Sequence, residues 1–103
     1  MRKVRIGPIV YQIVEVDGLK ENGRGLFGEV KYGSCEIRVE GRNCGQQKRQ
    51  TIWHEVVHII LTQVGLAKDA GREGLVDSLA YGMLQVVQDN PWLVKAFEED
   101  DAG

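Results

Sequence analysis

Histidine is scarce in this chain, with two among 103 residues, and cysteine is no more common, also at two. Cys35 and Cys44 stand nine apart, which is neither a Cys-x-x-Cys pair nor a zinc-ribbon spacing. A disulfide framework is therefore not indicated, and two free thiols in a reducing compartment are expected. No apolar run approaches the roughly 18 residues of a transmembrane helix. Neither sign of charge dominates: Lys and Arg total 13 against 15 Asp and Glu, a formal net charge of -2. That balance gives no global attraction to nucleic acid or to an anionic membrane. The basic start, Met1-Arg2-Lys3-Val4-Arg5, has no apolar stretch behind it, so no signal peptide is expected. These absences together point to a cytoplasmic protein without membrane association. A hydrophobic content of 43% and a charged content of 27% are those of an ordinary globular chain, and the length suits a single domain, residues 1–103, with one core.

What is present is His54-Glu55-Val56-Val57-His58, which places both histidines four residues apart with a glutamate after the first. Two histidines scattered in 103 residues take that spacing in roughly 2% of cases, and with nine glutamates the joint pattern falls to roughly 0.2%, so coincidence is a poor explanation. On a helix, i and i+4 share a face one turn apart. Two imidazoles so placed can hold one tetrahedral zinc, with the glutamate in reach of a water there: the HExxH pattern of zinc metallopeptidases.

The residues ahead of this motif read as strands. Residues 9–16 are β-rich and end at Asp17-Gly18; residues 26–32 follow the glycine-rich Asn22-Gly23-Arg24-Gly25; residues 35–40 alternate apolar and charged. The short connections predict an N-terminal antiparallel meander of about three strands. From Gln46 the period becomes helical and apolar nearly all round, as in a buried helix, with Gly65 as its stop. A short connection, 66–71, leads to a second helix over about 72–88, striped by Leu75, Val76, Leu79, Ala80, Met83, Leu84 and Val87. The short connection predicts that it packs antiparallel to the first. Asn90-Pro91 then opens a short last helix over about 92–97, and residues 98–103 read as a disordered acidic tail. The fold class expected is α+β, a small zincin-like domain.

A catalytic zinc needs a third protein ligand and an open position. Glu73 and Asp77 share a face at the start of the second helix, and Glu73 comes fifteen residues after His58, far enough for the chain to turn and return. Glu73 is the expected third ligand. Asp77 is the expected acceptor of the other N–H of a ligating histidine and the main rival for the ligand place; Asp69, in the connection, is a weaker rival. Burial of the first helix adds weight, since a metal would satisfy both imidazoles at once.

HExxH followed by Glu-x-x-x-Asp on the next helix resembles the gluzincin arrangement. Thr51-Ile52-Trp53-His54-Glu55-Val56-Val57-His58, with Glu73-Gly74-Leu75-Val76-Asp77-Ser78-Leu79-Ala80-Tyr81-Gly82-Met83-Leu84, is similar to the small ImmA/IrrE-type metallopeptidases of phages and mobile elements. The likeness spans about residues 28–91, and the chain departs from the usual second motif with Val76 for Ala and Leu79 for Phe. The resemblance implies a zinc-dependent peptidase acting on a protein substrate, for instance a regulatory protein.

In that function Glu55 takes a proton from water and passes it to the leaving amine, while Zn2+ polarises the scissile carbonyl. Tyr81, one turn beyond Asp77, is the candidate for stabilising the oxyanion, with Tyr32 as a second. The strand over 35–40 reads either as a sheet edge to which an extended peptide could add or as an internal strand with Glu36, Arg38 and Glu40 toward water, and the charges do not separate the two. The alternative function is a zinc-binding structural or adaptor module without catalysis, in which Glu55 would have no task. Arg2, Lys3 and Arg5, with Arg42, Lys48 and Arg49, form two small basic clusters that read as solvated surface rather than a nucleic-acid site.

Overall fold

β1 (Arg2–Ile6) and β2 (Ile9–Val16) form a hairpin that opens the chain. In this computed structural model, which describes residues 2–96, β3 (Lys20–Glu21) and β4 (Arg24–Gly25) make a small separate ribbon. β5 (Gly28–Lys31) and β6 (Glu36–Glu40) follow, joined by a 3-10 turn over Tyr32–Ser34. Three helices complete the domain: α1 (Gly45–Gln63), the single turn α2 (Ala67–Ala70) and α3 (Glu73–Asp89). A 3-10 turn over Pro91–Lys95 replaces the expected last helix; its end at Phe97 and the acidic tail at 98–103 lie outside the described residues. No helix among the described residues is long and apolar enough to cross a membrane.

The main sheet has four strands in the order β1-β2-β6-β5, and β2 pairs with β6 in parallel. This corrects the antiparallel meander of about three strands. The physical reason is the length of chain between β2 and β6. The ribbon and β5 intervene, so the chain leaves β2, passes outside the place of β6, and returns antiparallel into the gap. A parallel pair requires a crossover of that size. The same order decides between the two readings of residues 35–40: that strand lies between β2 and β5 and is interior, and β5 is the edge.

The sheet turns one face to α1. Ile6, Tyr11, Ile37 and Val39 are buried against Ile59, with Val4, Ile13, Val30, Ile52 and Val56 packed around them. A second cluster, Val57, Val76 and Ala80 with Trp53 and Leu61, joins α1 to α3. At about 100° per residue, the two groups occupy separate faces of α1, which is why its sequence looks apolar all round. Cutting fully buried Ile59 to Ala is expected to cost about 2–5 kcal/mol. α1 ends where expected: Gly65, at φ 85°, donates to Thr62, and Leu66 donates to Leu61, a Schellman closure. Arg49 meets Gln88 while His58 meets Glu73, so α3 runs antiparallel to α1.

Candidate metal centre

His54, Glu55 and His58 fall on the part of α1 between its α3-facing and sheet-facing sides. The helix period thereby aims them into the cleft between α3 and the edge strand β5. His54 and His58 are half-buried, Glu55 is buried at 6% exposure, and Glu73 and Asp77 reach in from the first turns of α3. Nε2 of His54 and Nε2 of His58 lie 3.0 Å apart, and each is 3.1 Å from a different carboxylate oxygen of Glu73. Nδ1 of His54 is 2.6 Å from Oδ1 of Asp77.

Asp77 is an acceptor, so the His54 ring donates to it from Nδ1, and Nε2 is the atom turned toward Glu73. The Nε2 atoms of both histidines and the Glu73 carboxylate thus converge, and a divalent cation placed among them would meet all three. The donor atoms of His54, His58 and Glu73 all lie within 4.8 Å of one another and could hold a metal ion. The 3.0 Å between the two Nε2 atoms approaches the roughly 3.4 Å edge of a tetrahedron with bonds of about 2.1 Å, and each Nε2 is 3.1 Å from its own Glu73 oxygen. Two imidazoles and a carboxylate, with a carboxylate behind one imidazole, are a donor set suited to zinc. Of the rivals for the third ligand, Asp77 is on Nδ1 of His54, and Asp69 pairs with Arg72.

Glu55 has a different environment. Its Oε1 stands 4.0 Å from Nε2 of His54, and its side chain borders a cavity of about 290 Å³ that His54, Glu73 and Asp77 also line. Burial pushes its carboxyl up to about 7; His54 pulls the other way, and the charges of Glu73 and Glu29 add to the rise.

The edge strand reaches the site because residue 28 is glycine. A Cβ there would run into the Thr51 methyl and come within 3.0 Å of the Arg38 carbonyl and 3.6 Å of Cγ of Glu55. Gly28, Phe27, Gln47, Gln50 and Thr51 complete the cavity wall. No motif in the sequence marks these residues, although Gln50 and Gln47, four and seven residues before His54, share its helix face. Tyr81 is not brought into this cavity. It is 60% exposed and borders a neighbouring depression with Gln50, Leu84, Gln85, Gln88 and Asp89. Tyr32 is also exposed, on the turn between β5 and β6, and does not border the cavity. Cys35 and Cys44 are free thiols and take no part.

The chain is an α+β domain with a mixed sheet and three helices, carrying a His-His-Glu group. Compared with protein-family models, curated proteins and solved structures, it gives no match.

Proposed function

We propose that this protein is a zincin-like, zinc-dependent metallopeptidase that hydrolyses a peptide bond in a protein substrate. One observation carries the reading: metal-donor atoms of His54, His58 and Glu73 converge beside the buried carboxylate of Glu55, which lines one cavity together with His54 and Glu73. His54, His58 and Glu73 hold the ion, and Asp77 fixes the ring and tautomer of His54. A zinc ion held there supplies a Lewis acid that activates water near neutral pH and polarises a carbonyl. Glu55 accepts the proton of the attacking water and returns it to the leaving amine; burial suits it to both steps by raising its affinity for a proton. The unpaired side of β5 offers main-chain donors and acceptors beside the cavity, so an extended substrate can add to the sheet there.

The alternative, a zinc-stapled module without catalysis, accounts for the three ligands and leaves Glu55 unexplained, because a structural site has no need of a buried base. The deciding experiment starts with zinc per chain by elemental analysis on untagged protein. About one zinc in the wild type, lost in His58→Ala, is the expected result. Casein and a mixed peptide library, read by mass spectrometry, then show new amino termini with wild type and none with Glu55→Gln. No zinc uptake by folded protein overturns the metal site; zinc uptake without cleavage leaves the structural module.

A further inference from the structure

The pairing of β5 with β6 fixes which main-chain groups of the edge strand are free. Gly28 stands opposite Val39 and Glu29 opposite Arg38. The ladder runs one pair beyond β5, where the Glu40 N–H donates to the Phe27 carbonyl at 2.8 Å. Bonded and non-bonded pairs alternate in an antiparallel ladder. Phe27, Glu29 and Lys31 therefore turn their main-chain groups inward to β6, and Gly28 and Val30 turn theirs outward. The other side of β6 agrees. Cys35 accepts from Gln12 and Gly41 donates to Val16, so the odd-numbered positions of that segment serve β2 and the even-numbered ones serve β5.

Gly28 is also the residue against the buried carboxylate: a Cβ there would stand 3.6 Å from Cγ of Glu55. A peptide added antiparallel to β5, the more stable direction, exchanges two hydrogen bonds with Gly28 through one of its residues and two with Val30 through the residue two places earlier. The peptide residue that follows the partner of Gly28 then lies opposite Phe27, in a pair that is not hydrogen-bonded. Side chains come closest in such pairs, with Cα atoms about 4.5 Å apart.

Phe27 is suited to meet that residue. It is 64% exposed and belongs to neither buried cluster. Among the described residues it is the one exposed large apolar residue that borders the metal cavity. Its backbone is nevertheless held on both sides, by the Glu40 N–H on its carbonyl and by the Leu26 N–H, which donates to Leu19 at 3.0 Å. The fold fixes the main chain there and leaves the ring uncovered, so little ordering remains to be done on binding. The favourable partners of an aromatic ring across a strand pair are another ring or a β-branched side chain.

We propose that Phe27 is the specificity residue of this site. The substrate is an extended segment lying antiparallel along β5, with an aromatic or β-branched residue directly after the one that bonds to Gly28. The inference rests on the peptidase reading and adds the substrate class and its register.

The test uses labelled ten-residue peptides of Gly, Ala and Ser, one with a single central Phe and one with Ala in its place. Fluorescence anisotropy with zinc-loaded Glu55→Gln protein reads binding of intact peptide. The Phe peptide is expected to bind at least about fivefold more tightly than the Ala peptide. Adding Phe27→Ala removes most of that gap, and adding Trp92→Ala, which deletes a comparably exposed ring away from the cavity, leaves it unchanged. N-methylation of the residue before Phe, the partner of Gly28, weakens binding about three- to tenfold, whereas N-methylation of Phe itself, whose N–H faces away from β5, does not. Equal affinities of the Phe and Ala peptides overturn the proposal. So does a Phe peptide that fails to bind at about 1 mM, a gap insensitive to Phe27→Ala, or one that Trp92→Ala narrows as much. Equal sensitivity to the two N-methylations overturns the register. Mass spectrometry with the wild type separates this inference from the reading beneath it. One cut at a fixed distance from Phe, moving with it when Phe is shifted along the peptide, is the expected result. Cleavage of both peptides without preference removes the role of Phe27 and spares the peptidase. A binding preference that depends on Phe27 in a protein that cuts neither peptide overturns the peptidase and leaves the strand register standing.

Discussion

Glu40 and Glu55 are both buried glutamates, and the fold treats them in opposite ways. Glu40 sits at the end of β6, where its carboxylate accepts from the backbone N–H groups of Leu19 at 2.9 Å, Arg42 at 3.0 Å and Gly18 at 3.1 Å, and from Nε of Arg42 at 3.3 Å. It ties the chain leaving β2 to the chain entering α1. These donors, the Arg42 backbone N–H foremost, hold its carboxyl down to about 2 despite its burial. Glu55 is as well buried but has only neighbouring charges around it, and its carboxyl rises to about 7. A carboxylate with four donors is fixed as an anion and serves the structure. One left without donors beside a cavity keeps its proton affinity for a reaction.

The sharpest break in that comparison is to neutralise each residue in turn. Glu55→Gln removes the base and spares the fold. The peptidase reading predicts a loss of about 10²–10⁴-fold in kcat/KM, with zinc content retained and Tm unchanged or raised, because burial disfavours the ionised carboxylate that the amide replaces. Glu40→Gln gives the complementary result: Tm falls by several degrees while zinc per folded chain stays at the wild-type value. Equal losses of Tm in the two variants would show that Glu55 is structural after all.

Asp77→Asn sharpens the same contrast at the metal. Asp77 reaches the ion only through His54, so zinc is still bound, with an affinity about 10–100-fold weaker in titration against a competing chelator. A variant that binds no zinc would make Asp77 a ligand and displace Glu73. Gly28→Ala acts at the wall beside Glu55. The added methyl meets the Thr51 side chain and must push β5 away from α1, a cost of about 1–3 kcal/mol in urea unfolding.

The parts of the site governed by helix period were legible in the sequence. His54, Glu55 and His58 on α1 and Glu73 and Asp77 on α3 follow from spacings of three and four, which the chain sets locally. Tyr81 shows where that rule stops. Each step of four residues overshoots a full turn by about 40°, so from Glu73 to Tyr81 the side chain swings about 80° around α3 and leaves the metal cavity. Strand order was not legible, because pairing is decided by residues far apart in the chain. The place of β6 between β2 and β5 depends on how the whole segment 17–35 is routed. Two local signals in the sequence do specify strand pairing. Val4 and Ile6 alternate with Lys3 and Arg5 ahead of the two-residue loop Gly7-Pro8, which is the β1–β2 hairpin. Asn22 and Gly23, both at positive φ, are the tight turn of the β3–β4 ribbon rather than part of a loose glycine-rich stretch.

Acid provides the mildest test of the comparison. The ordinary glutamate value is 4.5, and the folded value of Glu40 is about 2. A group whose folded value is depressed stabilises the fold above its unfolded value and gives up that contribution as pH falls toward the folded one. Glu40 therefore contributes in full above about pH 4.5, and its contribution fades between about 4.5 and 2. Glu40→Gln lacks the titrating group. The stability gap between wild type and Glu40→Gln is thus expected to be constant from neutral pH down to about 4.5, and to close as pH falls toward 2. Urea midpoints across that range measure it. A gap that stays open at pH 2 would mean that Gln fails by shape rather than by charge, and that the hydrogen bonds around Glu40 do not depend on its being an anion.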